Sequence, residues 1–235
     1  MNVILLAPSQ LKEEMAVITN PHQLSHIKTV LKAKVGDALK IGVLGGKLGV
    51  ARIDKITEDV ITLDKVHMST LPPAKIPVTV VLALPRPKVL RRLMMDMAAV
   101  GVAHIVLVNS YRTDKAYWQS PLLARLDEFL LEGLAQGVDT VMPQIQIERR
   151  FKPFVEDRLA ALGQRVLVAH PYADTTVTHF CHQGLPDVLI VGAEGGFIPY
   201  EIELLKTQGV SVASLGARIL RTEAAVNALL GRWMA

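Results

Sequence analysis

Two glycine-bearing segments near the end of the chain carry residue types that can do chemistry: Gly192-Ala193-Glu194-Gly195-Gly196-Phe197 and Leu215-Gly216-Ala217-Arg218-Ile219-Leu220-Arg221-Thr222-Glu223. Glycine lets backbone N–H and C=O groups come within hydrogen-bond reach of a small molecule, because no Cβ stands in the way. Leu215, Ile219 and Leu220 supply apolar walls beside that backbone. Arg218 and Arg221 can hold an anionic group and stabilise negative charge as it develops. Glu194 or Glu223 can accept a proton, directly or through water, if burial raises its pKa. Glu223 would also suit the first turn of a helix, where a carboxylate is stabilised by the helix dipole. His170, beside Pro171 at the end of another apolar run, faces the same rim.

Other chemistries lack their residues. Neither a phosphate-cradling G-x-x-x-x-G-K-[ST] loop nor a G-x-G-x-x-G fingerprint occurs, which argues against nucleotide hydrolysis and dinucleotide-dependent redox. No G-x-S-x-G elbow is present. No His, Cys, Asp and Glu grouping has the spacing of metal ligands, so no metal is expected.

The two loops need strands to hold them. Val188–Val191 and Val212–Leu215 read as buried strands, Pro199 suits the first turn of a following helix, and Thr222 can cap a helix running to Trp233. Val78–Leu84, His104–Val108 and Arg165–Ala169 are equally apolar and β-rich, as parallel strands covered on both faces should be. Between these strands, Lys88–Val100, Ser120–Gln136, Phe151–Leu162 and Pro199–Gln208 have helical periodicity. Residues 78–235 thus read as α/β, and spacing alone suggests a doubly wound sheet. Glycine loops at the carboxyl ends of neighbouring strands are where such sheets bind nucleotide-like ligands.

The amino-terminal part is patterned differently. Ala38–Leu44, Gly49–Ile56 and Val60–Val66 read as short strands, with Gly45-Gly46 as a hairpin turn and one helix over Pro21–Lys32 before them. That is a small β-barrel-like domain over residues 1–70. Pro72, Pro73 and Pro77 mark residues 71–77 as an extended linker.

Composition sets outer limits. The chain has 235 residues, 50% of them hydrophobic, enough for a substantial core in one or two domains. No apolar run reaches the length of a membrane span and the amino terminus lacks a secretory pattern, which points to the cytoplasm. A single cysteine excludes an internal disulfide. The net charge of +4 is spread evenly, but His26, Lys28, Lys32 and Lys34 cluster, as do Arg86, Lys88, Arg91 and Arg92. Such clusters can contact nucleic-acid phosphates, although a solvated helix face gives the same pattern. With five Phe, four Tyr and two Trp, a stacking platform for single-stranded bases is not evident.

The loops VGAEGGF and LGARILRTEAA resemble the "IGPEGGF" and "LGPRILRTETA" segments of the RsmE family of 16S rRNA methyltransferases, a branch of the SPOUT methyltransferases. The run His26-Ile-Lys28-Thr-Val-Leu-Lys32-Ala-Lys-Val-Gly-Asp37 is similar to that family's "HLxxVLRxKxGD", and His170-Pro171 to its "HP". The resemblance implies a PUA-like β-barrel domain followed by a SPOUT-type parallel sheet ending in a trefoil knot, with S-adenosylmethionine as cofactor. It implies methylation of ring nitrogen 3 of a uridine in the small ribosomal subunit, by a homodimer. The cofactor would then lie against His170, Val191, Gly192, Glu194, Gly195, Gly196, Leu215, Gly216, Ile219, Leu220 and Thr222. Arg218, Arg221, Glu194 and Glu223 would be the catalytic candidates. His26, Lys28, Lys32, Arg86, Lys88, Arg91 and Arg92 would hold the RNA.

This chain departs from the family pattern elsewhere. "KxxELGV" appears as Asp96-Met-Ala-Ala-Val-Gly-Val102, and "EQxxRxxVP" as Ala135-Gln136-Gly-Val-Asp139-Thr-Val-Met-Pro143. Two other readings therefore stay open: a divergent paralogue acting on another RNA, and a non-catalytic RNA-binding or assembly protein.

Overall fold

The computed structural model describes residues 2–234, and the chain divides into two compact units, residues 1–74 with 131–142 and residues 75–130 with 143–235. No helix among the described residues is long and apolar enough to cross a membrane.

The first unit is a curled six-stranded sheet. Its strands are β1 (Ile4–Leu6), β2 (Leu11–Lys12), β3 (Met15–Ile18), β4 (Ala38–Val43), β5 (Leu48–Ile56) and β6 (Ile61–Thr70), in the order β1-β4-β5-β6-β3-β2. Alternation decides the buried face: Ala16, Ile18, Leu39, Ile41, Ala51, Ile53, Ile61 and Leu63 point into one core, while their neighbours along each strand face out. Three irregularities of register between β5 and β6 bend that pair. As expected, Gly45 turns the β4–β5 hairpin, with φ 73°.

Three expectations for this unit need correction. The three strands β1 to β3 were not anticipated, because each has at most four residues. β6 continues four residues beyond Val66. The single helix over Pro21–Lys32 is instead α1 (Pro21–Ser25), capped by the Asn20 side chain, followed by a π-helical turn over His26–Val30. The chain leaves that turn through Lys32, which takes the left-handed conformation at φ 50°.

The second unit is a parallel six-stranded sheet with helices between the strands. β7 (Ile76–Ala83) leads through α2 (Pro87–Val100) to β8 (Val102–Val108); α3 (Leu126–Gly137) begins in this unit and continues into residues 131–142 of the first, and the chain returns at β9 (Gln144–Glu148). α4 (Phe151–Asp157), β10 (Val166–Ala169), α5 (Val177–Cys181) and β11 (Val188–Val191) follow, then α6 (Pro199–Thr207), β12 (Ser211–Ala213) and α7 (Thr222–Leu230). The strand order is β12-β10-β11-β7-β8-β9, every pair parallel. Val81, Val106, Val168 and Ile190 are fully buried in its centre, which is why these strands read as continuous apolar runs.

Here too the boundaries shift for identifiable reasons. The helix expected over Ser120–Gln136 begins only at Leu126; before it lie two 3-10 segments whose first turns are capped by Asp114 and Ser120. β9 alternates Gln-Ile-Gln-Ile-Glu at the sheet edge and lacked the apolar run that marked the others. β12 stops at Ala213, so Leu215 belongs to the loop. Thr222 is the first residue of α7 rather than its cap; Arg221 holds the cap position and makes no side-chain capping bond. The last residues, Gly231–Trp233, form a 3-10 turn. α7 packs against α2 and β11, although the strand before it lies at the far edge of the sheet.

Candidate functional site

The ends of β10, β11 and β12 open into a cavity of about 1670 Å³. Its lining contains both glycine loops and the segment after β10, from Ala169 to Thr175. Of the residues picked out from sequence, His170, Val191, Gly192, Glu194, Gly195, Gly196, Leu215, Arg218, Ile219, Leu220, Arg221, Thr222 and Glu223 all line it. Gly216 does not: it turns the backbone between lining residues, with φ 108°.

The first loop is suspended between two buried side chains, Val191 and Phe197, the latter tilted against Phe151 at 5.6 Å between ring centroids. Gly196 N–H donates to the Ala193 carbonyl at 2.9 Å, closing a tight turn for which Gly196 takes φ 64°. A Cβ on Gly192 would stand 3.0 Å from the Gly196 Cα, so the loop doubles back this closely because Gly192 lacks a side chain. Glu194 points away from the turn to α2, where its Oε1 accepts the Arg86 N–H at 3.1 Å and sits 3.5 Å from the Arg86 guanidinium. A carboxylate there balances the positive end of that helix. On the other side, Arg112 Nη1 donates to the Gly195 carbonyl at 2.6 Å.

The second loop is tied down at its start and end. Ser214 N–H donates to Thr175 O, and Val177 N–H to Ser214 O, both at 2.8 Å. Beyond the loop, Thr222, Val226, Leu229 and Leu230 are buried, Asn227 Nδ2 donates to Asp96 Oδ2 at 2.9 Å, and Glu223 lies 3.7 Å from Arg92. Asp96, where the family pattern has other residues, thus joins α2 to α7. Between these anchors the loop is open: Ile219 is 70% exposed and Leu220 40%. Among the described residues neither Arg218 nor Arg221 makes an ion pair or a side-chain hydrogen bond. Two free guanidinium groups therefore flank two exposed aliphatic side chains at the cavity rim.

His170 is held by its backbone, which donates to Ala213 O at 2.9 Å, and its ring meets Tyr172 edge-on at 5.7 Å. Burial pushes its imidazole below the ordinary histidine range, and the positive charges of Lys206 and Arg112 push the same way. The ring is neutral at pH 7.

The basic cluster on α2 separates into different uses. Arg86, Lys88 and Arg92 line the cavity, with Arg86 and Arg92 paired to Glu194 and Glu223. Arg91 instead lays its guanidinium over the Phe129 ring at 5.4 Å. In the first unit Lys32 is exposed, Lys28 Nζ donates to the Glu58 carbonyl at 2.5 Å, and His26 keeps Nε2 buried with no hydrogen-bond partner. Sequence reasoning missed Arg112 and Glu201. Arg112 sits in a stretch without periodicity. Glu201, third in a helix that starts with Pro199, carried the spacing of a capping box.

Residues 72–234 match the family model of the RNA methyltransferase domain. The chain is 28% identical over 237 residues to ribosomal RNA small subunit methyltransferase E of Treponema pallidum, across 97% of this chain and 88% of that protein. Its fold is similar to that of a methyltransferase from Legionella pneumophila solved with bound SAM, with a TM-score of 0.76 at 20% identity over 100% of this chain and 98% of that one. It is similar again to ribosomal RNA small subunit methyltransferase E from Neisseria gonorrhoeae bound to S-adenosyl methionine, with a TM-score of 0.75 at 18% identity, covering 98% of this chain and 96% of that one. The family match takes in both loops of the cavity and well over half of the sequence, and the chain belongs to the RNA methyltransferase family, in the RsmE branch that those loops resemble.

Proposed function

We propose that this protein is an S-adenosylmethionine-dependent methyltransferase that methylates ring nitrogen 3 of a uridine in 16S rRNA of the small ribosomal subunit. The observation that carries the reading is the pair of unpaired arginines, Arg218 and Arg221, on the rim of a cavity whose inner wall is glycine backbone.

The cavity fits the cofactor's chemistry. Val191, Leu215, Ile219 and Leu220 offer apolar surface for a purine, and the Gly192–Gly196 turn, in which a Cβ on Gly192 would meet backbone, offers N–H and C=O groups for ribose and amino-acid atoms. His170, neutral at pH 7, adds no charge against a cationic sulfonium. When bound, the cofactor supplies an electrophilic methyl carbon on sulfur.

The protein's task is then to present a uracil nitrogen that has lost its proton. Arg218 and Arg221 hold flanking phosphates and favour the anionic ring, as positioned cations do for developing negative charge. Both oxygens of Glu194 are taken up by Arg86 N–H, at 3.1 and 3.4 Å, and we assign Glu194 to holding the loop. Glu223 has one ion-pair contact, 3.7 Å from Arg92, and is the carboxylate we assign to accepting the proton, directly or through water.

The first unit is read as a PUA-like RNA-binding domain, with Lys28 and Lys32 on phosphates; of the α2 cations, Lys88 holds a phosphate and Arg92 lies near the target base. A base that reacts on its ring must leave its stack, so recognition rests on RNA shape and an unstacked uridine. A trefoil knot is supported by the return of α7 to α2 and β11 after an edge strand. Homodimerisation and a cytoplasmic location complete the reading.

Incubating the protein with S-adenosylmethionine carrying a labelled methyl group and small subunits lacking base methylation tests it. Label on the ring nitrogen of one uridine is expected. Cofactor binding with no label in any RNA would overturn it.

A further inference from the structure

Glu201 is 3% exposed, yet its carboxylate is fully used. Oε2 accepts the Ile198 N–H at 3.0 Å, which caps its own helix α6. Oε1 accepts the Tyr111 N–H at 2.8 Å, from the loop that follows β8, 90 residues earlier in the chain. A helix cap needs only the first of these bonds. The second fixes a segment whose next residue is Arg112, and Arg112 Nη1 donates to the Gly195 carbonyl at 2.6 Å. The same segment is held on its other side by Thr113 Oγ1, which donates to Leu84 O at 3.2 Å and pairs with the Ser110 hydroxyl at 3.0 Å. Arg112 is thereby pressed onto the glycine loop: a Cβ on Gly195 would lie 3.0 Å from Arg112 Cβ and 3.1 Å from its Cδ.

We propose that Glu201 is a positioning residue for the cofactor loop, acting through Arg112, which clamps the Gly195 carbonyl and holds the Gly192–Gly196 turn in its binding shape. The proposal rests on the reading of this cavity as the S-adenosylmethionine site. A carboxylate is required because both oxygens must accept. Glutamine keeps the size but turns an NH₂ group toward one of the two N–H donors, so that this part-buried donor loses its partner. Aspartate, shorter by one methylene, cannot reach both loops.

The test is calorimetric titration of S-adenosylmethionine into the wild type, Glu201→Gln, Arg112→Ala and the double variant, together with amide hydrogen exchange over residues 192–198. Each single variant is expected to weaken binding about tenfold, with the double no weaker than about tenfold, since both break one chain of contacts. Exchange at Gly195 and Gly196 should quicken in both. A purely structural role for Glu201 would lower thermal stability and leave affinity and loop exchange of the folded protein unchanged, and that result overturns the proposal. A double variant near hundredfold overturns the relay through Arg112. If Glu201→Gln does not fold, Arg112→Ala, whose side chain lies at the surface, decides by the same two measurements. A wild type that binds no S-adenosylmethionine would remove the cofactor-site reading and the positioning role with it, whereas normal wild-type binding with unaffected variants removes only the clamp.

Discussion

The Glu194 carboxylate accepts the backbone N–H of Arg86 at 3.1 Å, across a sequence separation of 108 residues. That one contact ties the first glycine loop to the amino terminus of α2, the helix that also holds α7 through Asp96 and Asn227. Glu194→Gln keeps an acceptor but removes the charge facing the helix dipole. The expected loss is about 1 kcal/mol of folding stability, read by urea denaturation at low ionic strength, with the loss shrinking as salt is added. An unchanged midpoint would mean that the contact contributes only geometry.

The glycines separate by mechanism. A Cβ on Gly196 or Gly216 would meet nothing within 4 Å, so crowding, the simplest reason for glycine in such a loop, does not apply to either. Their φ values of 64° and 108° are what exclude other residues. Gly196→Asn should be tolerated, since asparagine enters the left-handed region readily, while Gly196→Val and Gly216→Val should each cost about 1–3 kcal/mol and weaken cofactor binding. Gly192→Ala differs again, because its Cβ meets the Gly196 backbone at 3.0 Å. Cofactor titrations of the four variants check the order, and equal effects of Asn and Val at Gly196 would refute the φ argument.

Arg221→Ala should lower methyl transfer far more than cofactor affinity, because Arg221 is free at the rim and holds the substrate's charge in the proposed reaction. A fall of about 100-fold in kcat/KM for RNA with cofactor Kd changed less than about threefold is expected. Single-turnover rates with saturating RNA separate the two, and equal losses would make Arg221 a structural residue.

Much of this was legible in the sequence because buried parallel strands leave continuous apolar runs; Val188–Val191 has the limits its composition suggested. The glycine loops were legible for a related reason, since a turn that doubles back on itself admits few residue types. What stayed hidden depends on distant partners. Nothing near Tyr111 or Arg112 announces that Glu201 and Gly195 will be their acceptors, and the five-residue edge strand β9 has too little apolar content to be distinguished from loop. The placement of Arg91 on Phe129, away from its cavity-lining neighbours, is likewise set by packing across elements rather than by spacing.

The salt dependence of RNA binding tests the division of the basic residues. Lys32 and Lys88 are read as phosphate contacts, whereas Arg91 is engaged with Phe129. Lys32→Ala and Lys88→Ala should each flatten the slope of log K against log salt by about 0.7 to 0.9. Arg91→Ala should leave the slope nearly unchanged and lower thermal stability. Filter binding across 50 to 300 mM salt, on the order used for such slopes, would settle each residue, and a flattened slope in Arg91→Ala would return it to the RNA contacts.

Acid should destabilise this protein well above the pH where carboxylates titrate. Burial holds His104, on β8, and His170, at the cavity, below the ordinary histidine value of 6.5. A depressed folded-state pKa means that the unfolded chain takes up protons first as pH falls, so the stability these groups contribute is present above about 6.5 and is lost on descending through their folded values. The carboxylates with lowered values, Asp64 and Glu128, start from 3.8 and 4.5 and act only below those points. Denaturation midpoints measured at pH 7.5, 6.5 and 5.5 should therefore change little over the first step and fall over the second, and His104→Gln, which cannot take up a proton in either state, should make that fall shallower. A profile that is flat or rising toward pH 5.5, or one that His104→Gln leaves as steep as before, would show that the imidazole on β8 is not what couples the fold to pH.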